Sequence, residues 1–158
     1  MFRELVRKNQ QLSQEECVSI LKSELRGVLS VLGDDGYPYG VPMDHWYCEE
    51  NGKIYFHSGK NGHKIDAIKN CNKVSFCVYD KGGREDGEWA LNIRSVVVFG
   101  KIELIDDYDK AVDISRRLSY KFTSDSEYIE KEVERAGKRV LVLELTPENI
   151  CGKLVNES

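Results

Sequence analysis

The chain has 158 residues, of which 32% are charged and 41% hydrophobic, and its formal net charge is −4. This composition is ordinary for a globular protein, and the length predicts a single domain over residues 1–158. The negative charge argues against a nucleic-acid or membrane-surface binder, because phosphate tracts and anionic lipids repel it. No apolar run approaches the roughly 20 residues that cross a bilayer. The first residues lack the apolar core of a secretory signal, so we expect a cytoplasmic protein.

The five cysteines are widely spaced and include no C-x-x-C pair. This pattern signals neither a zinc site nor a redox dithiol. We therefore predict reduced, mostly buried cysteines that behave as small hydrophobic residues. A metal site made from Cys71, Cys77 and a nearby histidine is the alternative.

The first predicted element is a helix from about Gln14 to Ser23. Ser13 and Glu16 have the spacing of a capping box, and apolar residues follow at helical spacing. Three short strands are predicted next: Gly27–Leu32, a strand with Tyr39, Val41 and Met43 on one face, and Lys53–Phe56. Tight turns join them, so we expect an antiparallel meander.

The second half of the chain alternates helices and longer strands. The predicted elements are a helix at Gly62–Asn70, strands at Lys73–Tyr79 and Trp89–Ile105, helices at Tyr108–Lys121 and Glu127–Ala136, a strand at Val140–Leu145 and an edge segment at Ile150–Val155. Gly100 is expected to mark a bulge or bend, as barrel closure requires. Pro147 is expected to stop the last strand. Strands outnumber helices and no βαβ rhythm is present, so we predict a mainly β fold, an antiparallel β-barrel with peripheral helices.

A polar, glycine-bearing loop between Phe56 and the helix at Gly62–Asn70 carries the strongest chemical signal. Free backbone N–H groups at a helix start favour an anion. The polar side chains on or beside this loop are those of His57, Ser58, Lys60, His63 and Lys64. Together they would suit a phosphate. A surface loop with solvated lysines is the alternative interpretation.

Two further segments are candidates for ligand contact. Pro38 and Pro42 remove backbone donors from a strand, which indicates either a ligand-lined strand or an edge strand protected from aggregation. Arg94 and Ser95 interrupt an apolar strand, and a buried arginine needs an anionic partner. That partner is either a phosphate or one of the many carboxylates of the chain.

These segments, in this order, resemble the pyridoxamine 5′-phosphate oxidase-like flavin proteins with a split-barrel fold, and most of all the Nim-type 5-nitroimidazole-resistance proteins. The residues that carry the resemblance are Asp35-Gly36-Tyr37-Pro38-Tyr39 with Val41-Pro42, Tyr55-Phe56-His57-Ser58 with Gly62-His63-Lys64, and Arg94-Ser95-Val96-Val97-Val98-Phe99-Gly100. The resemblance covers about Leu12 to Lys153.

The resemblance implies a homodimer that binds two FMN molecules between its subunits. Val41, Pro42 and Met43 would line the flavin ring, and His57, Ser58, His63 and Lys64 would surround the phosphate-bearing end. Arg94, Ser95 and Val96 would lie on the strand that completes the site. His57 is the candidate catalytic residue, as a proton donor or a cofactor contact. The pattern does not assign roles to Lys60 and Trp89.

The function implied is that of an FMN-dependent oxidoreductase, similar to flavin reductases and nitroreductases, acting on a small molecule, with nitroimidazoles as candidate substrates and NAD(P)H as a candidate donor. The alternatives are an FMN-binding carrier or redox sensor, pyridoxamine phosphate oxidase-like activity, and a cofactor-free interaction domain. The chain lacks the basic C-terminal segment of the pyridoxamine oxidases, and it has no histidine after His63. These departures argue against vitamin B6 oxidation and against haem degradation.

Overall fold

The computed structural model describes residues 1–157, which form one curled antiparallel sheet with four α-helices around it. The strands are β1 (Arg26–Leu32), β2 (Pro38–Asp44), β3 (Trp46–Tyr47), β4 (Ile54–Ser58), β5 (Lys73–Tyr79), β6 (Leu91–Ile105) and β7 (Leu141–Glu157). The helices are α1 (Gln14–Ser23), α2 (His63–Asn70), α3 (Tyr108–Tyr120) and α4 (Ser126–Ala136). The spatial order of the strands is β2-β1-β5-β6-β7-β4-β3. The predicted mainly β, antiparallel split-barrel class is confirmed.

Helix α1 has the bounds that its capping box predicts. Ser13 Oγ accepts a hydrogen bond from the Glu16 N–H at 3.1 Å, and Glu16 Oε2 accepts one from the Ser13 N–H at 2.8 Å. Cys17, Ile20 and Leu21 follow on the buried face. The N-terminal end of α1 is therefore determined by hydrogen bonds between neighbouring residues, because both capping partners lie within one turn.

The predicted meander of three consecutive strands is wrong. β1 and β2 form a hairpin with Val28 opposite Pro42, but β4 pairs with β3 and β7 and not with β2. Ile54, Tyr55 and Phe56 of β4 are all buried. A strand that is buried on both faces belongs in the interior of a sheet, and β4 reaches that place by pairing with a distant part of the chain.

Strand β7 continues through Pro147, so the prediction that this proline ends the strand is wrong. Pro147 lies opposite Gly100, where the register of β6 and β7 shifts between Phe99 and Gly100. The predicted irregularity at Gly100 is confirmed. At such a bulge a proline can be accommodated without its N–H.

The larger apolar core lies on the concave side of the sheet, under α1 and α2. The rings of Phe56 and Phe76 meet edge to face at its centre, with centroids 4.9 Å apart. A smaller cluster under α3 contains Tyr55, Ala111 and Ile114. The predicted inward face of α3, with Ala111, Ile114 and Leu118, is confirmed.

The five cysteines are free. Cys17 and Cys48 are buried, and Cys71, Cys77 and Cys151 are partly buried. Within residues 1–157, no group of three or more His, Cys, Asp or Glu side chains is placed to hold a metal ion. No helix in this part of the chain is long and apolar enough to span a membrane.

Candidate functional site

An open cleft of about 440 Å³ lies between the end of β2 and the loop that follows β4. It is lined by Arg26, Pro42, Met43, Asp44, His57, Ser58, Gly59 and Lys64. Two segments that are separate in sequence, the proline-bearing strand and the polar loop, therefore meet at one place. Five of the ten predicted site residues line this cleft.

The β2 side of the cleft is largely apolar. Met43 is buried, its neighbour Pro42 is exposed, and Val41 packs against the larger core. β2 is an edge strand of the sheet. Its prolines are therefore placed where a missing donor costs no ladder bond, which also fits the edge-protection interpretation.

The loop side of the cleft carries an unpaired cation beside a helix start. Gly62 caps α2 with a φ of +124°, a conformation that favours glycine, and no side chain caps the first turn. Lys64 lies in that turn, and its Nζ is 3.5 Å from the thioether of Met43. Lys64 forms no ion pair with a carboxylate of residues 1–157, and burial lowers its pKa. A half-buried ammonium group beside free helix N–H groups favours an anion.

His57 lies at the boundary between this cleft and a second cavity. It is exposed on β4, two residues after Tyr55, so the two side chains share the face that α3 covers. The His57 ring forms no hydrogen bond with the other described residues, and it lines both the cleft and a cavity between α3 and α4. An imidazole with free nitrogens in this position can exchange a proton with a bound ligand.

His63 does not line the cleft, although it begins α2. Its ring stacks on Tyr39 with centroids 4.3 Å apart, and its Nε2 accepts a hydrogen bond from the Asp34 N–H at 3.3 Å. In this structure His63 therefore joins the start of α2 to the turn between β1 and β2.

A row of apolar residues, half-buried except for the exposed Pro42 at one end, crosses the convex face of the sheet. Direct pairing places Pro42 opposite Val28, Val28 opposite Cys77, Cys77 opposite Val97, and Val97 opposite Cys151. Helices α1 and α2 cover the concave face, where Cys17 of α1 approaches Gly152 and the apolar side of α2 joins the larger core. Helix α3 packs on the opposite face, at the end of the sheet that holds Ile105 and Val142. Phe2 stacks on Phe99 of this face, with ring centroids 5.6 Å apart, and so covers part of it. An antiparallel face that is exposed to water normally carries polar residues.

Arg94, Ser95 and Val96 lie apart from the cleft within one chain. Ser95 is on the convex face, two residues along β6 from Val97, and three strand spacings separate β6 from β2. This corresponds to roughly 15 Å along the sheet. Val96 is buried in the larger core, and Arg94 is exposed.

Arg94 lies near α1 and not near the polar loop. Hydrogen bonds from the backbone and side chain of Ser13 lower the pKa of Glu16, and the charge of Arg94 adds to this effect. Arg94 makes no ion pair within 4.0 Å among the described residues. It is therefore available to an anion on its side of the sheet.

The sequence interpretation missed Arg26 and Asp44, which form the rim of the cleft. They lie opposite each other in the β1–β2 hairpin, with Arg26 Nε 2.7 Å from Asp44 Oδ1. This pairing could have been found in the sequence, because counting residues outward from the turn at Asp34–Gly36 places Arg26 opposite Asp44.

A buried carboxylate anchors α3 behind His57. Glu144 is 3% exposed and accepts hydrogen bonds from Lys53 at 2.8 Å, Tyr55 at 2.8 Å and Lys110 at 3.2 Å. Burial alone would raise the pKa of Glu144, but the three hydrogen bonds outweigh it and the pKa is lowered. Burial and the bond to Glu144 raise the pKa of Tyr55 to about 12. No local pattern predicts this cluster, because its members come from three distant segments.

A second buried polar group ties the end of α3 to the chain before β3. His45 is fully buried, and its Nε2 donates to the carbonyl oxygen of Leu21 at 2.7 Å. Lys121 Nζ donates to the carbonyl oxygen of His45 at 2.8 Å. Burial, followed by the charge of Lys121, lowers the pKa of His45 to about 4, and burial lowers the pKa of Lys121 to about 8.

A curled antiparallel sheet with a cation-bearing cleft at its edge defines a protein of the split-barrel class. Within that class, the chain belongs to the pyridoxamine 5′-phosphate oxidase family, whose model matches residues 13–154. The resemblance inferred from the sequence is therefore confirmed. No protein of curated function matches the chain significantly.

Solved structures with the same fold are numerous. A candidate 5-nitroimidazole antibiotic resistance protein from Bacteroides thetaiotaomicron is 22% identical, with 92% of this chain and 87% of that chain covered and a TM-score of 0.76. The flavocytochrome Anf3 from Azotobacter vinelandii is 20% identical, with coverages of 97% and 72% and a TM-score of 0.75. An FAD-binding protein from Mesorhizobium loti is 22% identical, with coverages of 92% and 97% and a TM-score of 0.65. At these identities the likeness establishes the fold.

Proposed function

We propose that this protein is an FMN-dependent oxidoreductase that reduces small molecules, with electron-poor nitro compounds, nitroimidazoles included, as its substrate class. The observation that carries the proposal is the half-buried ammonium group of Lys64, which has no carboxylate partner and lies in the uncapped first turn of α2. The family supports it, as do structural neighbours named as an FAD-binding protein, a flavocytochrome and an F420 reductase.

The residues of the cleft fit the two chemical ends of FMN. Ser58 and Lys64 offer a hydroxyl and an ammonium group for the phosphate, as the free N–H groups of α2 do. Pro42 and Met43 offer an apolar surface for the ring, with Val41 behind them. When bound, a flavin takes a hydride from a reduced nicotinamide and passes one or two electrons to an acceptor. His57 would hold a proton at the edge of the cleft and donate it to the acceptor.

The distribution of the predicted site residues supports a homodimer. Ser95 lies roughly 15 Å along the sheet from the β2 side of the cleft of its own chain, and a second copy can bring its own Ser95 to this cleft. The apolar row on the convex face offers a surface for that contact, since burying side chains such as Val28 and Val97 further is favourable. In this arrangement Ser95 of one protomer, flanked by Arg94 and Val96 on the same strand, completes the cofactor site of its partner, and two FMN molecules bind per dimer.

Titration of purified protein with FMN tests the proposal first. We expect one FMN per chain with quenching of its fluorescence, and a cofactor-free interaction domain would show no binding. Steady consumption of NADH or NADPH with a nitroimidazole or a quinone then tests turnover. Binding without consumption over a broad panel of acceptors would overturn the enzymatic proposal in favour of a carrier or redox sensor.

A further inference from the structure

A second cavity, of about 170 Å³, lies between α3 and α4 on the helix-covered side of β4. Alanine and valine side chains form most of its apolar wall, including Val133 and Ala136 of α4. The polar residues on the wall are Tyr108, Ser115 and Ser119 of α3 and Glu132 of α4. None of these residues belongs to the proposed cofactor cleft.

The two cavities share one residue. His57 lines the helix cavity on one side and the cleft on the other, and no other residue lines both. His57 is therefore the residue at which the helix cavity and the cleft adjoin. This places a proton-carrying group between two binding spaces.

We propose that the helix cavity is the binding site for the small-molecule acceptor, and that its ligand is a single uncharged aromatic ring with one polar substituent. The inference rests on the proposed function, because it takes the cleft as the cofactor site. The size of the cavity supports it, since an engineered cavity of about 150 Å³ holds benzene. A dinucleotide is too large for this volume.

The charges of the wall select against anions. No lysine or arginine lines the helix cavity, and the single charged group on it is the carboxylate of Glu132, which pairs with Arg135 at 2.7 Å. An anionic ligand would therefore lose its hydration without gaining a cationic partner. The anion-binding features of the molecule lie on the other side of His57, at Lys64.

A buried hydroxyl on the wall lacks a partner. Ser115 Oγ is shielded from solvent and makes no hydrogen bond among residues 1–157. A buried polar group without a partner is unfavourable and normally finds one. The polar substituent of a bound ring would supply that partner after a rotation of the serine side chain.

The experiment uses nitrobenzene as the probe and 4-nitrobenzoate as an anionic probe of similar size. Binding is followed by backbone amide shifts in the full-length labelled protein, with and without saturating FMN. We expect nitrobenzene to shift amides of α3 and α4 in both forms, and 4-nitrobenzoate to bind at least ten-fold more weakly. Shifts confined to the cleft residues, or equal affinity for the two probes, would overturn the proposal.

Variants that fill the cavity give a second test. Val133→Phe and Ala136→Leu should each weaken nitrobenzene binding at least ten-fold and leave FMN affinity within two-fold of the original protein. Val18→Phe, at a half-buried position of α1 outside the cavity, is the matched control and should change neither affinity. Unchanged nitrobenzene binding in a filled variant that melts like the original protein would contradict the proposal.

The results distinguish a failure of the proposed function from a failure of the proposed acceptor site. If FMN does not bind but nitrobenzene still shifts α3 and α4, the proposed function fails and the cavity remains a ligand site. If FMN binds and nitrobenzene does not reach α3 and α4, the acceptor site is wrong and the cofactor site stands.

Discussion

The ammonium group of Lys64 lies 3.5 Å from the thioether of Met43, and no carboxylate of the described chain pairs with it. A thioether is a weak acceptor, so this contact does not neutralise the charge. Burial lowers the pKa of Lys64, which shows that its surroundings disfavour the cation in the absence of an anion. The contact between Lys64 and Met43 lies where the apolar side of the cleft meets its charged side.

Replacing this cation should weaken cofactor binding. For Lys64→Gln we expect the Kd for FMN to rise about 10- to 100-fold, because a hydrogen bond to a charged group contributes about 1.5–3 kcal/mol. Lys60→Gln is the matched control, since Lys60 is exposed in the same loop and does not line the cleft. Flavin fluorescence quenching measures both. Equal Kd values for the two variants would remove Lys64 from the phosphate site.

A charge on the convex face should break the proposed dimer. Val97 is half-buried in the apolar row, and Val97→Lys would bury an ammonium group against a second copy of the same face. We expect a monomer in light scattering after size exclusion, with loss of bound FMN. Val18→Lys on α1 should remain dimeric. A dimer that survives the Val97 substitution would place the interface elsewhere.

The buried His45 should make the protein less stable in mild acid. The unfolded chain protonates this histidine near pH 6.5, but the folded protein does so only near pH 4. Between these values the unfolded state binds the extra proton, so the free energy of unfolding falls as the pH falls. We expect a loss approaching about 3 kcal/mol by pH 4 from this group.

Urea unfolding at pH 7, 5.5 and 4.5 measures this effect. A His45→Gln variant can still donate to the Leu21 carbonyl oxygen and cannot titrate, so its stability should depend less steeply on pH. An identical pH slope in both proteins would assign the acid sensitivity to other groups.

The buried Glu144 should contribute to stability through its lysine partners. Glu144→Gln removes the charge but keeps the shape, and we expect the free energy of unfolding to fall by about 1–3 kcal/mol. The cost stays moderate because Lys53 and Lys110 are partly exposed and can bind water instead. Glu148→Gln, at an exposed position of the same strand, is the control and should change stability by less than about 0.5 kcal/mol. A neutral result for Glu144→Gln would show that its charge is dispensable.

The bulge between β6 and β7 should not tolerate a side chain at Gly100. A Cβ at this position would overlap the carbonyl oxygen of Thr146, so the backbone of Gly100→Ala must shift. We expect a loss of about 1–3 kcal/mol. Gly83→Ala is the control, because a Cβ there meets no atom within 4 Å. Thermal unfolding compares the two, and equal melting temperatures would show that the bulge relaxes freely.

Features set by neighbouring residues could be predicted from the sequence. Ser13 and Glu16 cap α1 from within a single turn, and the alternation of Val74, Phe76 and Val78 predicts β5 with its observed bounds. The irregularity at Gly100 was also predicted. The meeting of Met43 with Lys64 in one cleft followed from the family resemblance and not from local pattern.

Features set by pairing between distant segments could not be predicted. The position of β4 beside β7, and the continuation of β7 through Pro147, depend on which strands bury one another across the whole chain. The Glu144 cluster arises from the same pairing, since Tyr55 lies opposite Glu144. Period-two alternation indicates which face of a strand is buried but not which strand lies beside it.

By itself, then, the amino-acid sequence determined the four helices to within a residue at each end, strand β5, the antiparallel class and the polar loop, because short-range hydrogen bonds and periodic burial control these features. Only the tertiary structure decided that His57 separates two cavities and that Arg94 and Ser95 lie away from Lys64. The reason is geometric. Curling a sheet brings some distant side chains together and moves others apart, and a short sequence pattern does not predict which of them will meet.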